Sequence, residues 1–403
     1  MMYDIFKDYI HMTEGTEVPA IYRRWAIITA MGAWIGRDAY FKFSGMELYP
    51  NLYVLLMGAS GVKKSSAIKR AKKVLMRAGY DAFAAEKTTK EKFLMDLAGM
   101  EEADLLDSPF DNDMAESFIT ADEFNDFFGN NIFDFLATLG VLWDYSGVYK
   151  SRIKNGAQVE IRDPVISLLA GNTQTTLANT FPPEALGQGF FSRIIAVFSE
   201  PTKKRITFPA APSEEQLEDF ITKLKAIKLN CNGALDITEE AVALVDKIYK
   251  TWSPVEDERF AHYSSRRLIH LLKLITIHAA ARCSNIIEPE DVVYANTVLS
   301  YAEHYMPKAF GEFGRGKNAG VAHKVVEILE AAERPLDFAA IWELVHHDLS
   351  DLDELARVTR NLVTAGKIKY SAEGFTASRR KLKFKNDGTV DSKYLTAEEL
   401  GHE

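Results

Sequence analysis

The sequence predicts an α/β fold: a mostly parallel sheet covered by helices, then a helical segment, then a smaller module of three helices and two strands. Short apolar runs at 52–57 (LYVLLM), 117–121 (SFITA), 165–172 (VISLLAGN) and 194–198 (IIAVF) alternate with stretches of helical spacing. Strands alternating with helices give a parallel sheet buried on both faces. After Pro201 the strand pattern stops, and residues 213–310 read as almost wholly helical. Beyond residue 320, three short helical segments precede the strand-like KIKY (367–370) and GFTA (374–377).

Composition narrows the class. The chain has 403 residues, 47% hydrophobic and 26% charged, which suits a soluble globular protein of two or three domains. Two cysteines, Cys231 and Cys283, cannot build a disulfide framework, so a reducing cytoplasm is expected. The longest apolar runs, Ala26–Ile35 and Leu271–Ile277, fall short of the roughly 18 residues of a membrane helix. The start, MMYDIFKDYI, does not read as a signal peptide, and no membrane partner is expected. A net charge of -9 excludes a uniformly basic surface but leaves room for a local basic channel.

In chain order, residues 1–45 form an N-terminal helical segment, with Ile21, Trp25 and Ile28 beside Ile27, Met31 and Trp34 at helical spacing. A core spans 46–210: a strand at Leu52–Met57, a basic helix at Lys64–Ala78 and a second strand near Asp81–Ala84. It continues with a helix entered through Thr88 or Thr89 and the later strands. The helical segment 211–311 includes a helix capped by Thr238. The glycine-rich stretch 312–320 reads as a linker, and 321–378 has the pattern of a winged helix with a turn at Glu373–Gly374. The tail 379–403, basic then acidic, is expected to fray.

The chemistry begins at GASGVKKS, residues 58–65, between a strand and a basic helix. A loop there aims backbone amides and a helix start at phosphates, while a lysine contacts the outer phosphates and a hydroxyl holds magnesium. Lys64 and Ser65 fit the last two roles. Gly58, Ala59, Ser60, Gly61, Val62, Lys63 and Ser66 complete the expected nucleotide contacts. One residue departs from G-x-x-x-x-G-K-[ST]: Lys63 stands where a glycine is usual, at a cost of about 1 kcal/mol if the position is left-handed. Further on, SFITA ends at Asp122, suited to magnesium, and Glu123, suited to polarising a water. Each taken alone is equally an acidic turn. Asn172 ends the next apolar strand, where an amide could position that water. Arg193 lies before the strand at 194–198, in a loop too glycine-rich for a helix, where it could reach a neighbouring subunit's γ-phosphate.

Taken in order, these motifs resemble the AAA+ ATPases, with Walker A at Gly58–Ser65, Walker B at Asp122 and Glu123, a sensor asparagine at Asn172 and an arginine finger at Arg193. The stretch YSSRRLIHLLKLITIHAAARCSNIIEPEDVVYANTVLSY is similar to the lid of the minichromosome maintenance helicases. That likeness implies a second sensor arginine at Arg266, or at Arg267 if the register slips by one. Residues 15–305 resemble a family of phage and mobile-element ATPases described as helicase-like or primase-helicase-like, on YPNLYVLLMGASGVKKSSA and DYSGVYKSRIKNG…PVISLLAGNTQ. The resemblance implies ATP and magnesium as cofactors, with Ser65 and Asp122 as the magnesium residues. It also implies a homo-oligomeric ring, a hexamer, with ATP between subunits, in a host cytoplasm if phage-encoded.

VYKSRIKNGAQVEI, 148–161, places Lys150, Arg152 and Lys154 on alternate positions before an Asn155–Gly156 hairpin turn. The resemblance implies a pore hairpin gripping DNA, single-stranded or forked, with strong salt dependence; Tyr149 could add stacking. The expectation is a replicative DNA helicase. A loader or remodeller acting on replication proteins, or a scaffold whose loop Lys63 has spoiled, are the alternatives. No primase motif, no metal-ligand spacing around His346–His347 and no Ser-His-Asp or Cys-His set is present.

Overall fold

The computed structural model describes residues 4–100, 115–128, 132–152, 158–182, 189–311, 317–332, 334–364, 366–378 and 387–400. The fold is mixed α/β with parallel strands. The chain divides into a first unit (Met1–Phe181, Ala185–Phe310, Phe384–Glu403) and a second (Pro182–Glu184, Gly311–Lys383). The smaller unit is therefore an insertion into the larger one. Among the described residues, no helix is long and apolar enough to cross a membrane.

The first unit begins with α1 (Ile5–Met12), α2 (Ala20–Ile35), β1 (Ala39–Phe43), β2 (Met46–Leu48), β3 (Tyr53–Met57), α3 (Lys64–Ala78) and α4 (Lys90–Leu97). It continues through β4 (Glu116–Ala121), α5 (Ile132–Leu142), β5 (Val148–Arg152), β6 (Gln158–Arg162), β7 (Val165–Asn172), α6 (Gln174–Thr180) and β8 (Ile194–Phe198). The main sheet runs β4-β7-β3-β8, all parallel. β3 and β7 are buried at every position, which is why their sequences read as unbroken apolar runs. The register sets Met57 beside Asn172 and Phe198, and Ala121 beside Ala170. The loops after β3, β4 and β7 therefore converge on the carboxyl edge of the sheet, the edge where open α/β sheets bind ligands.

Several local signals hold to the residue. α3 spans Lys64–Ala78 and closes on Gly79 in a left-handed conformation. Thr89, not Thr88, caps α4 by accepting from the Lys92 amide. The expected strand near Asp81–Ala84 is a single bridge: the Phe118 amide donates to the Ala82 carbonyl at 2.8 Å and the Ala84 amide to the Phe118 carbonyl at 3.1 Å.

Non-local pairing overturns the two helical expectations. The remaining elements of this unit are α7 (Glu214–Asn230), β9 (Gly233–Ile237), α8 (Glu239–Thr251), α9 (Ala261–Ser264), α10 (Arg267–Ala281), β10 (Ile286–Ile287) and α11 (Pro289–Ala309). β1, inside the N-terminal segment, and β2, just after it, join β9 and β10 in a second sheet ordered β10-β9-β1-β2. Neither region is wholly helical. These strands have two to five residues, and β1 meets β9 only after most of the unit has intervened, so no local periodicity marks them. α2 is buried along its whole length, so it lacks the polar face of a surface helix.

The tail is another correction. The expected frayed end is docked over residues 387–400, and the basic residues 379–386 lie outside the described set. The Arg24 guanidinium donates to both oxygens of Glu399 at 2.7 and 2.6 Å, with both side chains buried. Glu398 accepts from Arg23 at 3.3 Å and from the Ala20 amide at 2.8 Å, the latter at the start of α2, where Pro19 offers no side-chain cap. Asn296 on α11 donates to the Thr389 carbonyl at 2.8 Å. The last helix, α15 (Ala397–Leu400), carries both glutamates.

The second unit comprises α12 (Lys317–Ala331), α13 (Phe338–Val345), α14 (Leu352–Thr364) and an antiparallel pair, β11 (Ile368–Ser371) and β12 (Gly374–Ala377). Val325, Ile341, Val345, Leu355 and Ile368 form the centre of its own core. Ser371 pairs with Gly374, so the turn is Ala372–Glu373, one residue earlier than expected. Gly374 has φ +124, and a Cβ there would stand 2.6 Å from the Leu336 carbonyl oxygen. α12 starts at Lys317, so the second half of the expected linker is helix, while 312–316 lie outside the described residues.

Removing one partner of a buried ion pair leaves the other charge uncompensated. Glu399→Ala is expected to destabilise the first unit by about 3–5 kcal/mol, and Arg24→Leu with Glu399→Leu by much less; urea unfolding of the two variants checks this.

Candidate functional site

The loop after β3 takes the shape the motif requires. Gly58 leaves no room for a side chain, since a Cβ would lie 2.6 Å from the Tyr22 hydroxyl and 2.7 Å from the Ser199 carbonyl. Tyr22 braces the loop by donating to the Met57 carbonyl at 2.5 Å and accepting from the Ser199 amide at 3.2 Å. Gly61 has φ +84, and Lys63, at the start of α3, has φ 63 and ψ 25. The substituted residue thus adopts the left-handed conformation that favours glycine, and the backbone path is kept. Lys63 pairs with Glu17 at 3.4 Å, and Glu17 also accepts from the Ile206 amide at 2.8 Å.

Lys64 is buried, and its ammonium donates to the Gly58 and Ala59 carbonyls at 2.8 Å each. Burial pushes its pKa down, opposed by the nearby Glu123 carboxylate. Ser65 and Lys69 are four residues apart on α3 and share a face. The Lys69 ammonium is in ion-pair contact with Asp122.

Asp122 and Glu123 follow β4 directly. Partial burial raises the Glu123 pKa, Lys64 opposing and Asp126 and Asp122 adding to the rise. Gly171 lets β7 approach this corner: a Cβ there would stand 2.6 Å from the Asp122 carbonyl. Next to it Asn172 has no exposure; its Oδ1 accepts from the Thr173 amide at 2.8 Å while its Nδ2 is buried with no partner. A buried orphan donor is costly to fold around, and this one sits beside Met57, the residue before the loop. Lysine, hydroxyl, carboxylate pair and free amide thus share the carboxyl edge of the sheet. They suit a phosphate ester with magnesium, an ion that takes one or two carboxylates and leaves other positions to phosphate and water. Among the described residues no group of three or more His, Cys, Asp or Glu forms a metal cage.

The arginines lie at the other edge. Arg193 ends a short 3₁₀ turn, Phe191–Arg193, where an irregular loop was expected, and Ile194 beside it pairs with Tyr53 at the start of β3. Arg193 is therefore a strand length, roughly 15 Å, from its own phosphate-type loop. Its Nη1 donates to the Gly189 carbonyl at 2.5 Å, Nη2 is 3.6 Å from Asp144, and Nε is buried without a partner. Burial lowers its pKa, and Arg266 adds to the effect. A cavity of about 220 Å³ opens beside it, with Phe133, Leu136 and Val141 on α5 and Phe190 and Phe191 among its walls. Arg266 joins Arg193, donating to Ser192 Oγ at 3.0 Å and reaching Asp144 at 3.4 Å. Arg267 does not: it is buried, bonded to Glu303 at 2.7 Å and Asn296 at 2.9 Å, and stacked on Trp252. Of the two, Arg266 is the one beside Arg193.

β5 and β6 form the expected hairpin directly before β7. Lys150 and Arg152 are exposed at alternate positions, but Lys150 faces Glu160 across the pair and bonds it at 2.7 Å. Lys154 and Asn155–Gly156 lie outside the described residues. Sequence reasoning passed over Tyr22, Lys69 and Asp144. Only Lys69, four residues after Ser65, carried a local signal.

No protein-family model matches the chain, and no curated protein matches it.

Two outcomes follow from the local chemistry. Lys63→Gly is expected to raise stability by up to about 1 kcal/mol, whereas Lys63→Val lowers it by a similar amount; denaturant midpoints compare them. Lys273 on α10 is buried against the Tyr49 and Trp143 carbonyls, Asn51 Oδ1 and the Trp143 ring. Burial lowers its pKa to about 7, Asp144 opposing and Arg193 adding to the fall. Between that value and the ordinary lysine value near 10.5 the unfolded chain holds the extra proton, so stability rises with pH across this window. Urea unfolding at pH 7 and pH 9 should show the wild type gaining on Lys273→Met at the higher pH.

Proposed function

We propose that this chain is an ATP-dependent motor of the AAA+ type, working as a homo-oligomeric ring on DNA as a replicative helicase. One observation carries the reading. Lys64, Ser65, Asp122, Glu123 and the unpartnered Asn172 amide meet at one edge of the sheet, while Arg193 and Arg266 stand together at the opposite edge. Such a division makes half a site at each edge, and two neighbouring copies complete it.

In this reading the amides of Gly58–Lys63 and the start of α3 cradle the phosphates. Lys64 exchanges the Gly58 and Ala59 carbonyls for phosphate oxygens. Magnesium, held by Ser65 and Asp122 in place of the Lys69 ammonium, would neutralise charge on the outer phosphates. Glu123, its proton affinity raised by burial, polarises the attacking water, and Asn172 Nδ2 orients it. Arg193 and Arg266 of the next copy stabilise the transition-state charge. The hairpin of β5 and β6 carries the DNA contact through Lys150, Arg152 and Lys154. The second unit, with three helices and a hairpin, suits a winged-helix accessory contact, with Arg357 and Arg360 exposed on α14.

A second reading, a loader or remodeller of replication proteins, is favoured by the Lys150–Glu160 pair, which offsets one of the hairpin's cations. A third reading, the scaffold, rests on the left-handed strain that Lys63 carries and would follow from a failure to bind nucleotide.

The test is magnesium-dependent ATP hydrolysis with and without single-stranded DNA. Lys64→Ala is expected to lose nucleotide binding, and Glu123→Gln to keep it while turnover falls at least 100-fold. Stimulation by DNA supports the helicase, hydrolysis without stimulation moves the assignment to the loader, and no nucleotide binding by the wild type refutes both.

A further inference from the structure

Arg193 and Arg266 are held by one carboxylate that the motifs did not single out. Asp144 Oδ1 is 3.6 Å from Arg193 Nη2, and Oδ2 is 3.4 Å from Arg266 Nη1, so each oxygen serves one guanidinium. The two cations come from distant parts of the chain, one before β8 and one at the start of α10. They repel each other in a half-buried place, where Coulomb energies exceed those in water. Asp144 offsets that repulsion and leaves the trio with net positive charge, open to an anion.

The carboxylate is itself fixed from below. The carbonyl of Trp143, the preceding residue, accepts from Asn51 Nδ2 at 3.1 Å and from the Lys273 ammonium at 3.3 Å. Asn51 Nδ2 also donates to the Ile166 carbonyl of β7 at 2.8 Å, and Lys273 to Asn51 Oδ1 at 2.5 Å. The Trp143 ring packs against Arg193, His270 and Lys273. Asp144 therefore stands on a buried polar platform joining α10, β7 and Asn51, two residues before β3, with its two oxygens turned to the arginines.

We infer that Asp144 is a positioning residue: it sets both arginines in the spacing needed to receive the terminal phosphate of a nucleotide bound by a second copy of this chain. The inference rests on the composite-site reading above. Asp144 contacts the two arginines, so its removal acts on turnover through them and leaves nucleotide affinity alone. Misplacement of a transition-state contact by about 1 Å costs on the order of 100-fold in rate.

The experiment measures kcat, KM and nucleotide affinity of the full-length chain for Asp144→Asn, Asp144→Ser, Arg193→Ala, Arg266→Ala and Asp144→Asn combined with Arg193→Ala. Asp144→Asn is expected to lower kcat by roughly 10- to 100-fold, with nucleotide affinity within about twofold of wild type, and to have a smaller further effect, through Arg266 alone, once Arg193 is gone. Thermal unfolding identifies a variant that has lost its fold, and Asp144→Ser is then read in place of Asn. A wild-type kcat in both Asp144 variants, while the arginine variants are impaired, overturns the inference and leaves the composite site standing. Losses that multiply in full in the double variant also overturn it, placing the effect of Asp144 elsewhere. Wild-type kcat in both arginine variants refutes the composite site, and the role of Asp144 with it.

Discussion

Everything at the candidate site depends on one close backbone approach. β7 lies between β3 and β4, and at Gly171 it comes so near the Asp122 carbonyl that a methyl group would stand 2.6 Å away. That contact and the parallel register bring Asn172 beside the loop-bearing strand and the two carboxylates to the same corner. The neighbouring Gly58 is held to the same tolerance by Tyr22 and Ser199. Two glycines and a register thus do the positioning, and the polar side chains occupy the places they create.

The site's polar groups are incompletely matched. Arg24–Glu399, Arg267–Glu303 and Arg282–Asp291 are buried pairs with close geometry. Asn172 Nδ2 and Arg193 Nε, by comparison, are buried without partners. Buried polar groups are rarely left so, and both orphans lie on residues that the nucleotide reading uses. Lys63 shows the same tension in the backbone, accepting a left-handed conformation so that the loop keeps its path.

The C-terminal segment ties this edge to the rest of the unit. Tyr22, Arg23 and Arg24 are consecutive on α2: the first braces the residue before the loop, and the other two hold Glu398 and Glu399. The chain leaves the first unit at Phe310, forms the second unit, and returns to it from Phe384.

The sequence by itself determined the local elements: β3, β4, β7 and β8 from their apolar runs, α3 from its basic amphipathic face, a cap at Thr88 or Thr89 and one at Thr238, and the order of the candidate motifs along the chain. These are decided by neighbours within a turn or a strand, where steric preference, burial periodicity and hydrogen bonding of a cap act over a few residues. Only the tertiary structure decided that β1 pairs with β9, that the acidic tail seeks Arg23 and Arg24, that Arg266 rather than Arg267 stands beside Arg193, and that both arginines lie a strand's length from their own loop. Each depends on groups tens to hundreds of residues apart, whose attraction counts only once loop closure has brought them together. Arg266 and Arg267 show the limit most plainly. They are adjacent and chemically identical, and the direction each takes from the start of α10 separates a buried structural arginine from one facing Asp144.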